Sequence, residues 1–272
     1  MRNGFRRYRL TCWLLFAAAA SWAIPCALSA AELPGAEALK AAVEHTISEF
    51  GQRYPQGRDY LRRLEALESR AAAGQEDTDR LAAEFDSLRR QALVANPLLS
   101  GSPIVFVVRQ QYAPDHHNTG TMFQPGEINA GSFRGGGAVK QIDFGRGGAV
   151  TTLLETPDGV PRDLEVGYDG QKLLLAIRRR AADTYHVYEL QADGSDLEQL
   201  TFDAAATDVD PCYLPDGRIV FASTRDPKYC GCNRHIQANL FVMEGDGANI
   251  RQIGRNTLFE SRPSVTPDGR IL

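Results

Sequence analysis

Apolar positions in the first hundred residues recur every three or four places. Leu39, Val43, Ile47 and Phe50 form one series, Leu61, Leu64 and Leu67 a second, and Leu81, Phe85 and Leu88 a third. This is the spacing of helices that bury one stripe and leave a charged remainder in water. "RYPQG" and "AAGQEDTD" separate the series with breakers and capping residues, so residues 35–98 predict three helices in a hairpin or small bundle. His45 reads as a surface residue of the first helix.

After "NPLLSGSP" the period changes. Ile104 to Val108 is short, β-branched and aromatic, and predicts a strand; a polar stretch (109–137) follows before "AVKQIDF" and "AVTTLLE" resume strand character. From there to residue 272, apolar runs of five to seven residues alternate with turn signals, and no helical period is present.

These runs repeat. Asp169-Gly170, Asp216-Gly217 and Asp268-Gly269 lie 47 and 52 residues apart, and each precedes an apolar strand: "QKLLLAI", "RIVFAS" and "RIL". A second Asp-Gly landmark, in "ADGSDLEQLT" and "EGDGANIRQIG", recurs with Gly194 and Gly247 53 apart. "TPDGV" at 156–160 stands outside the series, because Pro161 follows it and no strand is predicted there. Asp-Gly suits tight hairpins: glycine accepts positive φ, and Asp bonds its own backbone. Two hairpins in about 50 residues make a four-stranded antiparallel blade, the repeat of a β-propeller.

The expected fold is therefore mainly β: a partial, truncated propeller of four-stranded blades, preceded by a signal peptide (1–30) and a helical segment (31–98). Within 99–272 the blades are expected at about 104–155, 163–201 and 210–254, with the start of another at 262–272. Propellers have four to eight blades, so the count predicts the front part of a larger protein.

Composition adds the compartment. Arg2, Arg6, Arg7 and Arg9 precede an apolar run from Leu10 to Ile24, which Pro25 breaks before the small residues Ala27, Ser29, Ala30 and Ala31. That is the order of a secretory signal, and the run is short for a membrane span. Cys26 invites lipidation, but Pro25 before it fits poorly, and cleavage without a lipid is expected. Four arginines and no acid leave with the segment, taking the net charge from -4 to -8. The expected product is exported (periplasmic or extracytoplasmic), mildly acidic, unsuited to nucleic acid and without a membrane span after cleavage. Three cysteines remain, Cys212, Cys230 and Cys232, an odd number for an oxidising compartment.

The blade copies "DPCYLPDGRIVF" and "RPSVTPDGRIL" resemble the TolB-type, WD-like propeller family, with Leu214 and Thr266 where the family carries serine. The stretch from "ANPLLSGSPIVFVVRQQYAPDHHNTG" to "SFRGGGAVKQID", taken with "CYLPDGRIVFASTR" and "NLFVMEGDGANIRQI", is similar to proteins related to the alpha subunit of hydrazine synthase; the likeness spans about residues 95–272. It implies a module in a protein whose chemistry belongs to c-type haems attached through Cys-x-x-Cys-His. "CGCNRH" (230–235) departs from that motif, because one residue separates the cysteines and His235 is not adjacent to Cys232. No cofactor is demonstrable in these 272 residues. A c-type haem or zinc belongs to the expectation for the full-length protein, and the partners expected are other subunits or the same protein's C-terminal domain.

Blade geometry puts the first strand's entrance and the loop between strands two and three on one face. That face is expected to gather Asp208, Asp210 and Cys212, the loop 224–239 with His235, the stretch "RRRAADTY" (178–185), and the long loop with Asp115, His116, His117, Glu127 and Arg134. The His pair with Asp115 or Glu127 has the donor types for zinc, iron or copper; the alternative is one packed and one solvated histidine. For the cysteines, a disulfide from Cys230 or Cys232 to Cys212, a metal site with His235, and a plain surface pair all stand. "SFRGGGAVKQ" lacks the ending and the following helix of a phosphate loop. "RRR" at 178–180 reads as a solvated strand end. The favoured function is an exported binding or scaffold propeller. The alternative is a subunit of a haem-dependent periplasmic oxidoreductase of hydrazine synthase type, and envelope assembly in the manner of TolB rests on fold alone.

Overall fold

The structure, a computed structural model, describes residues 33–74, 76–110, 133–229, 236–257, 260–266 and 268–272. The three apolar series form α1 (Ala36–Phe50), α2 (Gly57–Ala73) and α3 (Thr78–Val94). Their stripes close on one core built from Leu39, Val43, Leu64, Leu67, Leu81, Phe85 and Leu88, while His45 is exposed. Tyr54, between the first two helices, donates to the Ala92 carbonyl at 2.7 Å and so ties the connection to α3. Asp77 caps α3 by accepting from the Asp79 amide. A single turn, α4 (Pro97–Ser100), leads into the sheets. No helix among the described residues is long and apolar enough to cross a membrane.

Three antiparallel sheets follow in chain order. The first holds β1 (Ile104–Arg109), β2 (Gly137–Asp143) and β3 (Ala149–Thr156). The second holds β4 (Val160–Val166), β5 (Lys172–Arg178), β6 (His186–Gln191) and β7 (Glu198–Gln199). The third holds β8 (Asp208–Tyr213), β9 (Ile219–Tyr229), β10 (Ile236–Met243) and β11 (Arg251–Gln252). A last hairpin is joined by the bridge Val265–Ile271. The Asp-Gly turns act as expected: the Oδ1 atoms of Asp169, Asp193, Asp216 and Asp246 each accept from the amide two residues on, at 2.9, 2.9, 3.2 and 3.0 Å.

The sheets stack face to face like propeller blades. Leu173, Leu175 and Ile177 of β5 meet Val105, Val107 and Val139 of the first sheet. On the other side of the same strand, Leu174 packs with Ile219 and Phe221, and Ala176 with Ala222. Covering on both faces explains why "LLLAI" is an unbroken apolar run rather than an alternation. The glycines of the second landmark set the spacing between sheets. At Gly194 (φ +91) a Cβ would stand 2.5 Å from the Leu153 carbonyl, and at Gly247 (φ +84) 2.4 Å from that of Leu200. Both turns therefore need glycine for close approach as well as for positive φ.

Two expectations need correction. "TPDGV" is followed by a strand after all: β4 starts at Val160, and Pro161 opposes Ile177 within it. Pro161 is tolerated because β4 is the first, edge strand of its sheet. Among the described residues the first sheet also has three strands rather than the four of a full blade, and they correspond to the second, third and fourth. The registers show this: Phe106–Lys140–Thr152 across the first sheet corresponds to Leu175–Tyr188–Gln199 and Phe221–Phe241–Gln252 in the others. "IVFVVR" of β1 thus aligns with "LLLAIR" of β5 and "IVFAST" of β9.

Candidate ligand-binding site

The first strands β4 and β8 carry a second periodic feature. Each has a register shift, between Arg162 and Glu165 and between Val209 and Cys212. Within those shifts Asp163 (φ 56) and Asp210 (φ 52) adopt the left-handed region, as does Arg262 (φ 53) in the next repeat. The three positions lie 47 and 52 residues apart, like the Asp-Gly turns. Each acid reaches into the following repeat: Asp163 Oδ2 accepts from the Asp210 amide at 3.0 Å, and Asp210 Oδ2 accepts from the Arg262 amide at 3.0 Å. Arg162 binds both carboxylates, donating from Nε to Asp163 at 2.6 Å and from Nη2 to Asp210 at 3.5 Å. Burial works against the Arg162 charge, but the two acids keep it protonated. Burial, with the neighbouring Asp163 charge, pushes Asp210 up to about 6 despite Arg162.

One turn nearer the loop-bearing face, Asp208 is fully buried. Its Oδ1 accepts from Arg225 Nη1, and its Oδ2 stands 3.9 Å from His186 Nδ1. Burial alone would raise Asp208; His186 and Arg225 prevail and hold it below the ordinary aspartate value. The other side of the His186 ring faces Thr184, with Nε2 and Oγ1 3.2 Å apart. Asp208 and Asp210 therefore act between blades, behind the surface, and neither is presented to a ligand.

In front of His186 opens a cleft of about 260 Å³, lined by Arg179, Thr184, Tyr188 and Gln199 over Ile177. Arg179 stacks on the Tyr188 ring at 5.0 Å and donates from Nε to Tyr188 Oη at 2.9 Å. Tyr188 in turn donates to Gln199 Oε1 at 2.9 Å, and Gln199 Nε2 donates to the Thr201 carbonyl at 2.7 Å. This chain fixes the guanidinium through Nε alone. Its Nη1 and Nη2 edge makes no hydrogen bond among the described residues and is left for a planar oxyanion. The nearby acid, Asp183, is engaged by Arg180 at 3.4 Å.

Arg178 differs from its neighbours and from expectation. It is wholly buried rather than solvated, its guanidinium lies 4.5 Å from the Phe133 ring centroid, and its Nη2 donates to the Ala181 carbonyl. Phe133 is thereby held beside the β5–β6 connection, and Arg134 next to it is exposed, donating to the Phe133 carbonyl at 2.9 Å. Gly136 continues this edge by donating to the Gly159 carbonyl at 3.1 Å.

Cys212 lies away from this face. It opposes Val220, close to the turn at 214–218, and Tyr229 lies nine positions further along β9, roughly 30 Å of strand at about 3.3 Å per residue. Cys212 is a free, buried thiol 3.8 Å from Glu165 Oε1. Its place beside the loop 224–239, on which the expected disulfide depends, is therefore corrected: Cys212 comes late in β8, next to the β8–β9 turn, at the opposite end of the sheet. Burial, aided by Glu165, pushes the thiol up to about 11. Asp115, His116, His117, Glu127, Cys230, Cys232 and His235 lie outside the described residues. Among the described residues no group of three or more His, Cys, Asp or Glu side chains is placed to hold a metal ion.

No family model matches the chain, and no curated protein matches it. Solved structures do. Hydrazine synthase of Kuenenia stuttgartiensis is 20% identical with a TM-score of 0.45, over 62% of this chain and 27% of that one. A putative TolB from Agrobacterium tumefaciens is 22% identical with a TM-score of 0.34, over 42% and 40%. TolB from Acinetobacter baumannii is 14% identical with a TM-score of 0.38, over 49% and 30%. The chain thus spans well under half of each. The assignment of blades rests on the sheet order and registers above.

Proposed function

We propose that this chain is the binding module of a larger exported propeller protein, and that it takes up a small carboxylate in the Arg179–His186 cleft. The observation that carries the reading is the held guanidinium: stacked and hydrogen-bonded through Nε, it keeps a two-pronged donor edge turned to an open cleft. A volume of about 260 Å³ falls below the ~300–1,000 Å³ of sites for drug-sized ligands, which favours a small anion over a large cofactor. Export is supported by the basic start and apolar run of residues 1–31, and membership of a larger protein by the repeat that continues into the hairpin at Val265 and Ile271.

Calorimetric titration with acetate, and with acetamide as its neutral counterpart, tests the assignment. Acetate is expected to saturate a single site and acetamide to leave it empty. Charge-assisted hydrogen bonds contribute about 1.5–3 kcal/mol, so Arg179→Ala is expected to weaken acetate roughly 10- to 100-fold. Equal acetate binding by the variant, or equal binding of acetamide, would refute the reading.

A further inference from the structure

The Arg179–His186 cleft holds an arrangement that binding alone does not use. Three side chains follow one another from the third sheet into the second: Asp208 at the start of β8, His186 at the start of β6, and Thr184 two residues before it. Asp208 Oδ2 is 3.9 Å from His186 Nδ1, and on the other side of the ring Nε2 is 3.2 Å from Thr184 Oγ1. The backbone fixes this order, because the Asp208 amide donates to the Tyr185 carbonyl, between Thr184 and His186, at 2.8 Å. Asp208 and Thr184 are 0% and 5% exposed, yet Thr184 and His186 both line the cleft, as Arg179 does.

The acid sets the direction of the series. Arg225 binds its Oδ1 and favours the carboxylate, which can only accept. Asp208 Oδ2 and His186 Nδ1 are both buried, and neither makes a hydrogen bond among the described residues. An Nδ1–H turned to Oδ2 answers both and leaves the Nε2 lone pair toward Thr184. A separation of 3.9 Å is long for a hydrogen bond, but such pairs commonly tighten when substrate enters. The Thr184 hydroxyl then donates to a base that an acid orients from behind, which is what an activated nucleophile requires. Arg179 supplies the remaining part, a fixed cationic donor edge for the negative charge that forms on a carbonyl oxygen.

The geometry points to an acyl-transfer site: Thr184 attacks the carbonyl of a small ester, with His186 as general base and Asp208 as the residue that positions it. This rests on the carboxylate reading of the cleft, since the acid bound there is then the product. Thr184 Oγ1 bonds to the carbonyl carbon as its proton passes to Nε2, and Arg179 takes the oxyanion. The ester C–O bond breaks, and the alkoxide leaves as an alcohol with the proton from Nε2. Water next attacks the acyl-threonine and gives a proton to Nε2. The bond to Oγ1 breaks, that proton returns to Oγ1, and the released acid ionises. The sum is ester and water to carboxylate, alcohol and a proton, with no oxidant or reductant. The volume of about 260 Å³ and the lining by Ala182 and Ala204 keep the acyl half small.

Para-nitrophenyl acetate is the probe. The chain is expected to release nitrophenolate with saturation and, after acid quenching, to carry an acetyl group on the peptide that holds Thr184. Thr184→Val is expected to slow release at least ~100-fold and Thr184→Ser to restore it, both with urea midpoints near the parent's. Asp208→Asn keeps the side chain's shape. It is expected to lower kcat at least ~100-fold with KM and acetate affinity within about twofold, a split that a purely structural role does not produce. Release unchanged in Thr184→Val, an acetyl group on another residue, or a serine variant as slow as the valine one overturns the proposal. A chain that binds acetate but neither turns the ester over nor becomes acetylated sinks the acyl transfer alone. One that binds no acetate sinks the carboxylate reading beneath it, so the two failures are told apart.

Discussion

Replacing Asp210 with asparagine separates two opposed expectations for a buried acid. Two carboxyls, Asp163 and Asp210, share one arginine, and the hydrogen bond between them needs a proton. Asp210 is raised from 3.8 to about 6 by burial first and by Asp163 second. Because its folded value lies above its unfolded one, the folded state holds a proton that the unfolded chain has released between about pH 4 and 6. Stability therefore falls as pH rises through that window. At about 1.36 kcal/mol per pH unit, the full effect at neutral pH approaches 3 kcal/mol. Asparagine mimics the protonated acid: its oxygen accepts from the Arg262 amide and its nitrogen donates to Asp163. Urea unfolding of both proteins from pH 4 to 8 is the assay. The variant is expected to match the parent at pH 4 and to exceed it by about 1–3 kcal/mol at pH 7.5, the lower end allowing for the lost Arg162 contact. A variant less stable than the parent at pH 7.5, or a difference that does not change with pH, would refute the reasoning.

Asp208→Ala is expected to behave oppositely, destabilising by about 3–5 kcal/mol, since it strands Arg225 beside a buried cavity; a loss under 1 kcal/mol in the same urea assay contradicts that. Gly170→Ala, at positive φ with open space around it, is expected to cost about 1 kcal/mol. Gly194→Ala, facing the Leu153 carbonyl, is expected to cost at least twice as much, and equal melting temperatures for the two variants would remove the inter-sheet role of that turn. Cys212, buried and with its thiol raised to about 11, should resist a thiol reagent at pH 8 until urea is added; rapid labelling of this cysteine in the native protein would overturn its placement.

The periodic parts of the fold were open to reading because they rest on local chemistry. Asp-Gly at intervals of 47 and 52 marks hairpins, and helical spacing marks α1 to α3. The offset of the first sheet was harder, since no Asp-Gly pair lies between β1 and β2 and, among the described residues, no inner strand pairs with β1. The word "IVF", shared by β1 and β9, held the clue. Asp163 and Asp210 were also within reach, as they repeat at the interval of the turns. What the pattern does not carry is direction. Asp208 and Asp210 are two residues apart yet serve different partners, because a register shift with a left-handed residue follows Val209 and breaks the alternation. Cys212 lies away from the loops because it comes late in β8, next to the turn at 214–218. Arg178, Arg179 and Arg180 look alike in sequence, but strand alternation buries the first under Phe133, stacks the second on Tyr188 and leaves the third with Asp183.

A crystal structure of the chain tests the stacking of repeats around one axis most directly, through a single distance. The account predicts the Asp163 carboxylate within hydrogen-bonding reach of the Asp210 amide, with β4 and β8 adjacent and the Arg179 cleft at the loop-bearing end. Sheets paired as a two-layer sandwich, with those two acids on separate surfaces, would contradict it.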